Sequence, residues 1–322
     1  MVWIYQNKNI KKMWNSETVE WIDIELTSFC NIACPGCLRQ EKRKQVESIL
    51  NKDMINFSDL QNWISKDKFP SLKLMNFCGS VDEPTTHPEM LKIVEYFLEF
   101  SEVNIASNGS TKTTEFWRKL GEYGVSVFFG LDGTDQKSLE KYRIGSNFKK
   151  VQENYRAFIK AGGNATWQFI VFDHNEHLLE EAKEISDKEG FKNFRTIFSH
   201  RKGSGEVEKQ VVEEQEIFCK YGNQKRLFIN HTGSLIPCCF LNSEALELHA
   251  NKKPKTKFGT KYMELGNVLS NNLRYNTISE VLTGELFEYV VDSWSTNPVE
   301  KCWKTCKQKK RDIFVDETIG VK

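Results

Sequence analysis

Short apolar runs alternate with longer, helix-like stretches between about residues 20 and 200 of this 322-residue chain. The apolar runs have the length and composition of buried strands, and they lie at Trp21–Leu26, Leu72–Phe77, Val103–Ala106, Val125–Leu131, Trp167–Phe172 and Phe194–Phe198. In the stretches between them, apolar residues recur at helical spacing, as in HPEMLKIVEYFLEF. This spacing predicts helices over Pro88–Phe100, Thr114–Tyr123, Ser138–Arg143, Phe148–Ala161 and Leu178–Glu189.

Strands and helices that alternate in this way predict a parallel sheet with outer helices. We therefore predict an α/β fold, a partial (β/α)6 TIM-like barrel, with ligands at the carboxyl ends of its strands. The character of the sequence changes around Gly203, Ser204 and Gly205, which have the composition of a linker. The predicted organisation is an N-terminal arm over residues 1–19, a barrel over 20–205 and a small cysteine-rich domain over 206–322.

Composition narrows the class of protein. Hydrophobic residues make up 39% of the chain and charged residues 28%, as in an ordinary globular protein. A formal net charge of +1 predicts no general attraction to nucleic acid or to anionic membranes. No apolar run approaches the roughly 20 residues that span a bilayer, and the N-terminus lacks the apolar core of a signal peptide. Nine cysteines without an export signal favour reduced or metal-bound thiols in a cytoplasm.

Three cysteines follow the first predicted strand with the spacing C-x3-C-x2-C, at Cys30, Cys34 and Cys37. This spacing is too wide for a redox C-x-x-C pair. A short irregular loop of this kind can place three thiolates around three irons of a 4Fe–4S cluster, and the fourth iron is then open for chemistry. The alternative is a structural zinc site, which needs a fourth Cys or His ligand.

The triplet, with the preceding run WIDIELTSFC, resembles the radical S-adenosylmethionine (radical SAM) enzymes. The resemblance implies that S-adenosylmethionine (SAM) chelates the open iron through its amino and carboxylate groups. It also implies that one electron, from a donor such as flavodoxin or ferredoxin, cleaves the sulfonium bond and yields a 5′-deoxyadenosyl radical. That radical takes a hydrogen atom from the substrate, while the protein positions the cofactors.

The loop after the second predicted strand, FCGSVDEPTTHPEM, resembles a SAM-binding loop of this family. The resemblance implies that Gly79 allows close backbone approach and that Glu83 accepts hydrogen bonds from the cofactor's ammonium group, with Asp82 as the alternative. Another interpretation is that these acids cap the following helix. Capping explains Glu89 better than it explains Glu83.

The next two loops, ASNGST and the stretch that begins GLDGTDQ, also resemble family loops. The resemblance implies that Ser107 or Asn108 binds the ribose hydroxyls or the carboxylate of SAM. Asp132 is expected to face the active site. Arg143 is expected to bind the cofactor carboxylate through its planar guanidinium, unless it is a solvated helix end.

The adenine of SAM has fewer candidate contacts. The position before the last cysteine of the triplet is usually aromatic in this family, but here it is Gly36. The loop after the fifth predicted strand offers Asn175, with His174 or His177. We therefore expect the adenine contacts to come from loop backbone or from another aromatic residue.

Five of the nine cysteines lie beyond residue 206. Their arrangement, which includes HTGSLIPCCF and the final C-x3-C pair, resembles the auxiliary-cluster domain called SPASM or its shortened one-cluster form, twitch. The resemblance implies one auxiliary 4Fe–4S cluster held by Cys219, Cys238, Cys302 and Cys306, with Cys239 as a substitute for Cys238. A zinc ion held by four thiolates is the alternative.

Taken together, these patterns predict a radical SAM enzyme whose auxiliary cluster accepts an electron from a substrate radical. The product would be an oxidised or cross-linked peptide, protein or small molecule. The competing class is a non-catalytic zinc module that serves folding or nucleic-acid contact, and it would not need Glu83, Asn108 and Arg143 in this order. A basic run from Lys301 to Arg311 could attract an anionic substrate or RNA, or it is a solvated charged tail.

Overall fold

The computed structural model describes residues 13–37, 39, 53–198, 215–249, 253–266 and 269–309. The described chain forms two compact units. The barrel unit contains residues 25–39 and 76–198, and the auxiliary unit contains residues 13–24, 53–75 and 215–309, within the described ranges. The predicted linker at 203–205 and the last basic residues, Lys310 and Arg311, lie outside the described residues. The predicted domain boundaries therefore stay predictions.

The strands are β1 (Trp21–Ile24), β2 (Leu74–Phe77), β3 (Glu102–Ser107), β4 (Ser126–Gly130), β5 (Asn164–Val171), β6 (Asn193–Phe198), β7 (Gln215–Ile217), β8 (Arg226–Ile229), β9 (Leu235–Ile236) and β10 (Lys307–Lys309). The α-helices are α1 (Phe57–Trp63), α2 (Met90–Leu98), α3 (Thr114–Glu122), α4 (Gln136–Glu140), α5 (Phe148–Lys160), α6 (Leu179–Glu189), α7 (Lys220–Asn223), α8 (Cys239–His249), α9 (Lys257–Glu264), α10 (Ile278–Leu282), α11 (Glu285–Asp292) and α12 (Glu300–Cys306). The predicted strands and helices are all present. Their ends differ most, by three residues, at the start of β5 and at the end of α4.

In the barrel unit, strands β3 to β6 pair in parallel and in sequence order. Ile105 of β3 lies opposite Val127 of β4, and Phe129 of β4 lies opposite Trp167 of β5. Among the described residues β6 pairs only with β5, so the sheet is not closed. The prediction of an α/β fold with a parallel, incompletely closed barrel sheet is confirmed.

Aromatic side chains fill the space between this sheet and its helices. The ring of Phe129 lies 5.1 Å from that of Trp117 on α3 and 5.7 Å from that of Phe158 on α5, measured between ring centroids. Gly109, with φ +70°, closes the β3 loop over this core, and a Cβ there would lie 2.9 Å from Phe129 Cδ1. The core thus fixes the strand ends from which the candidate site residues project.

In the auxiliary unit, β1 pairs in parallel with β8, which pairs antiparallel with β9. A second, two-stranded sheet pairs β7 with β10. Trp14, from the predicted N-terminal arm, is buried here with its ring 5.2 Å from that of Phe287 on α11. No helix in the described part of the chain is long and apolar enough to cross a membrane.

Candidate functional site

The cysteine triplet lies in one irregular loop of the barrel unit, and all three thiols are half-buried. The Cys37 N–H donates to the Cys34 carbonyl at 3.0 Å, and the Ala33 N–H donates to the carbonyl of Ile144 at 2.8 Å. Burial raises the pKa of Cys30 to about 12 and that of Cys34 to about 11, and the charge of Cys37 raises both. Bound iron would oppose this effect, because a coordinated thiol is deprotonated.

A closed ring of hydrogen bonds among three side chains, Asn31, Asn108 and Ser110, holds this loop against the loop after β3. Asn31 and Ser110 were not predicted as site residues. The Asn108 Nδ2 donates to Asn31 Oδ1 at 2.9 Å, Asn31 Nδ2 donates to Ser110 Oγ at 2.8 Å, and Ser110 Oγ donates to Asn108 Oδ1 at 2.6 Å. Asn108 Nδ2 also lies 3.9 Å from Cys30 Sγ. The side-chain amide of Asn108, which was predicted to bind SAM, therefore forms a hydrogen bond to the cysteine loop.

Glu83 is buried and joins two strand-end loops. Its Oε1 accepts hydrogen bonds from Thr85 N at 3.3 Å, Thr85 Oγ1 at 2.6 Å and Ser107 Oγ at 2.7 Å, and its Oε2 accepts from Asn108 N at 2.7 Å. Burial raises the pKa of this carboxyl. Glu83 also caps a short 3-10 helix, whereas Glu89 makes no side-chain cap at α2. The interpretation that capping suits Glu89 better was therefore wrong.

Asp82 is also buried, and its Oδ2 accepts hydrogen bonds from Leu26 N at 3.1 Å and Thr27 N at 3.3 Å. Its Oδ1 has no hydrogen-bond partner among the described residues. Burial raises the pKa of Asp82 well above its usual value, and Glu25 and Glu83 raise it further. Asp82 thus holds the first residues of the cysteine loop and keeps one acceptor atom free.

Gly79 lies at the start of the same loop with φ +59°, a conformation that glycine adopts readily. A Cβ at this position would lie 3.1 Å from the carbonyl oxygen of Ala106 in β3. The glycine therefore allows close packing of backbone on backbone beside the buried acids.

Asp132 and Arg143 form a buried ion pair, with 2.8 Å between Asp132 Oδ2 and Arg143 Nε. Asp132 Oδ1 accepts a hydrogen bond from Ile170 N at 2.8 Å. The guanidinium lies over Gly130, where a Cβ would meet its nearest atom at 2.5 Å, and its charge lowers the pKa of Cys34. Burial raises the pKa of Asp132 despite this partner. Arg143, predicted to bind a carboxylate of SAM, pairs here with a carboxylate of the protein.

Asn175 is fully buried and binds the backbone of its own surroundings. Its Nδ2 donates to the carbonyls of Asp132 at 3.0 Å and Ile170 at 2.9 Å. Beside it, the ring of Phe172 lies 4.2 Å from that of Tyr142 and 5.3 Å from that of His174. This aromatic stack lies near the ion pair, but Tyr142 and Phe172 are themselves buried as core.

In the auxiliary unit, four cysteines from three segments of the chain line one cavity: Cys219, Cys238, Cys302 and Cys306. Burial raises the pKa of Cys219 to about 12, and the charges of Cys306 and Cys302 raise it further. Burial likewise raises the pKa of Cys238 well above its usual value. The cysteine donor set fits an iron–sulfur cluster. Among the described residues, no three or more His, Cys, Asp or Glu side chains are gathered closely enough to hold a single metal ion.

Cys239, the predicted substitute for Cys238, is not part of the cavity lining that the structure describes. It lies near a second polar cluster, where it raises the pKa of Tyr221 after the larger effects of burial and Asp23. In that cluster the Arg226 guanidinium lies 3.8 Å from the ring centroid of Trp21, and its Nε donates to Asp23 Oδ2 at 2.6 Å. Tyr221 itself lines the cavity, so Cys239 lies beside a residue of the cavity wall, whereas Cys238 is part of the wall.

Comparison with known proteins supplies the family. The sequence profile of the radical SAM superfamily matches residues 24–195, and that of SPASM, an iron–sulfur cluster-binding domain, matches residues 219–308. No curated protein sequence matches this chain.

Solved structures with a similar fold belong to proteins of low identity. SuiB from Streptococcus suis bound to its precursor peptide SuiA is 12% identical, with a TM-score of 0.55 over 80% of this chain and 67% of that chain. SuiB bound to S-adenosylmethionine is 14% identical, with a TM-score of 0.53 over 78% of this chain and 66% of that one. Native anSMEcpe with bound AdoMet and Cp18Cys peptide is 13% identical, with a TM-score of 0.54 over 84% of this chain and 81% of that one. This chain thus spans about two thirds of SuiB, and the likeness shows the fold.

The superfamily profile covers more than half of the 322 residues. Members of this superfamily use a 4Fe–4S cluster and SAM, and the SPASM domain adds auxiliary iron–sulfur binding. These cofactors agree with the two groups of cysteines described above. The chain belongs to the radical SAM superfamily and carries a SPASM iron–sulfur cluster-binding domain.

Proposed function

We propose that this protein is an oxidising radical SAM enzyme with two iron–sulfur sites of different function. The first is a 4Fe–4S cluster held by Cys30, Cys34 and Cys37, where SAM is bound and cleaved. The second is one auxiliary 4Fe–4S cluster held by the four cavity cysteines. The observation that carries the proposal is the pair of separate thiol groups, three in one half-buried loop and four around one buried cavity.

When bound, the first cluster and SAM supply a 5′-deoxyadenosyl radical that removes a hydrogen atom from the substrate. The chain supplies charges that suit the two ends of SAM. Glu83 Oε2 accepts one hydrogen bond from the described residues, and Asp82 Oδ1 accepts none, so both carboxyls can accept from an ammonium group. The Arg143 guanidinium, which lowers the pKa of Cys34, supplies the positive charge that suits the cofactor carboxylate.

We propose that the auxiliary site makes the overall reaction an oxidation of the substrate. A substrate that has lost a hydrogen atom would give one further electron to the auxiliary cluster, which supplies an electron acceptor when it is bound. The substrate then releases a proton or gains a nucleophile as the nucleophile's proton leaves. The substrate has thus given up two electrons, which accounts for a double bond or a cross-link. An external donor such as flavodoxin or ferredoxin supplies the electron for each cleavage of SAM.

A peptide or protein side chain is the substrate class that we favour. Two proteins of similar fold were solved with peptides, SuiB with its precursor peptide SuiA and anSMEcpe with the Cp18Cys peptide. A small molecule is the second candidate. We place the reaction in a reducing cytoplasm because the chain carries nine cysteines and its proposed clusters need reduced thiols.

Replacement of one loop cysteine tests the proposal. Cys34→Ala should abolish formation of 5′-deoxyadenosine from SAM in the reconstituted, dithionite-reduced protein, because three irons can no longer be held. The matched control is Cys78→Ala, which removes another half-buried thiol of the barrel unit and should keep the activity. Full activity in the Cys34 variant would refute the assignment of the loop.

A further inference from the structure

Two tryptophans line the auxiliary cavity, and their indole N–H groups have different partners. Trp14 Nε1 donates to the carbonyl oxygen of Arg226 at 3.0 Å. Trp294 Nε1 is buried and makes no hydrogen bond among the described residues. A buried N–H that lacks a hydrogen-bond acceptor lowers the stability of the folded protein. Because Trp294 lines the cavity, we infer that the acceptor lies in the cavity.

The cavity offers sulfur atoms as acceptors, because four cysteines line it together with Trp294. One of these sulfurs belongs to Cys302, with which the Trp294 side chain interacts. The indole N–H is therefore a candidate donor to the Cys302 sulfur when the cluster is bound.

The other three cavity cysteines interact with backbone N–H groups instead. These pairs are Gly222 with Cys219, at 3.4 Å between N and Sγ, Leu241 with Cys238, and Lys220 with Cys306. Cys302 lies within α12, where backbone N–H groups bond to carbonyls of the preceding turn, as Trp303 N does to Val299 O. Among the described residues, Cys302 is the one cavity cysteine for which no backbone donor is found, and its interaction is with the Trp294 side chain.

We propose that Trp294 is a positioning residue of the auxiliary cluster, whose indole N–H donates a hydrogen bond to the Cys302 thiolate and raises the cluster's reduction potential. The inference rests on the proposed function, since it needs an iron–sulfur cluster in this cavity. Hydrogen bonds to cluster sulfurs raise the potential because they stabilise the reduced state, which carries one more negative charge. A higher potential makes the cluster a better acceptor for the substrate's electron.

The test is a redox titration of the auxiliary cluster, followed by electron paramagnetic resonance. The full-length chain with Cys30, Cys34 and Cys37 replaced by alanine isolates that cluster. In this background, Trp294→Phe keeps an aromatic ring and removes the N–H. We expect its midpoint potential to fall by about 59 mV, a tenfold less favourable one-electron reduction. The matched control is Trp14→Phe, which removes the N–H that bonds to a carbonyl and should leave the potential unchanged.

A second measurement avoids substitution and therefore any failure of the variant to fold. Protein whose tryptophans carry 15N only in the indole ring should show a hyperfine coupling between one indole nitrogen and the reduced auxiliary cluster. A cluster without this coupling, or equal potentials in the two tryptophan variants, would overturn the inference and leave the proposed function intact. Absence of auxiliary iron from the parent background would overturn both.

Discussion

The two groups of cysteines differ in how the chain builds them. The barrel loop brings three thiols together within eight residues, Cys30 to Cys37, and leaves them half-buried. The auxiliary cavity draws its four thiols from segments that span residues 219 to 306, and Cys219, Cys302 and Cys306 are each only 8% exposed. An iron that binds SAM needs an accessible loop, whereas a cluster that only exchanges electrons is served by an enclosed, fully ligated site.

The groups that hold the thiols in place also differ between the barrel loop and the auxiliary cavity. The barrel loop is held by polar side chains from neighbouring strand ends, such as Asn108 and Asp82. The auxiliary thiols interact with backbone N–H groups and with one indole. Substitution of a supporting side chain should therefore affect the barrel loop more than the auxiliary cavity.

The largest effect is expected from two adjacent cysteines of the auxiliary unit. Cys238→Ala should lose the auxiliary cluster, because it removes one of the four thiols that line the cavity. Cys239→Ala should retain it, since Cys239 is not among the described residues that line the cavity. Iron and sulfide analysis after anaerobic reconstitution measures the difference. Equal losses in the two variants, or a loss only in the Cys239 variant, would contradict the assignment.

An intermediate effect is expected from Asn31, which joins the cysteine loop to Asn108 and Ser110. Asn31→Ala breaks this ring, and we expect the rate of 5′-deoxyadenosine formation to fall about tenfold to a hundredfold, as for other groups that support metal ligands. We expect the iron content of this variant to fall by a smaller factor than its rate of 5′-deoxyadenosine formation. The exposed Asn193, at the start of β6, gives a matched control, Asn193→Ala, which should behave as the unsubstituted protein. An unchanged rate in the Asn31 variant would show that the ring is dispensable.

The smallest effect is a dependence of stability on pH. Burial holds the pKa of Asp82 above its unfolded value, so the folded state loses stability as the pH rises from the unfolded pKa through the folded one. Asp82→Asn removes this loss and keeps an oxygen that can accept from Leu26 N and Thr27 N. Its thermal midpoint should therefore exceed that of the unsubstituted protein by more at pH 8 than at pH 5.

The control for this prediction is the exposed Asp187 of α6, since Asp187→Asn should change the thermal midpoint by a similar small amount at both pH values. A gain for the Asp82 variant that is equal at pH 5 and pH 8, or larger at pH 5, would contradict the pKa direction.

Much of the fold could be predicted because its signals are local. The apolar runs of β1 to β6 and the helical spacing of α2, α3, α5 and α6 are visible within single windows of sequence. The start of β5 was missed because Asn164 has low strand propensity, and its position follows from pairing with Ser126 of β4. Tertiary pairing thus overrode the local preference.

The candidate site could be predicted only in part, because much of it depends on contacts between residues that are far apart in the sequence. The cysteine triplet has a spacing that can be recognised in sequence, but the role of Asn31 depends on two residues nearly eighty positions away. Likewise, Glu83 caps a 3-10 helix and joins the β3 loop, contacts that its own loop sequence does not specify. The orientation of Trp294 toward the cavity follows from the packing of the auxiliary unit, and its sequence neighbourhood carries no signal of it.

The most direct test of the central claim compares iron and sulfide content after anaerobic reconstitution in two full-length triple variants. One replaces Cys30, Cys34 and Cys37 with alanine, and the other replaces Cys219, Cys302 and Cys306. The assignment of one cluster to each group of cysteines predicts about eight irons in the unsubstituted protein and about four in each variant, with 5′-deoxyadenosine formed only by the variant that keeps the barrel loop. About four irons in the unsubstituted protein, with none after loss of the barrel loop and no change after loss of the auxiliary cysteines, would contradict it.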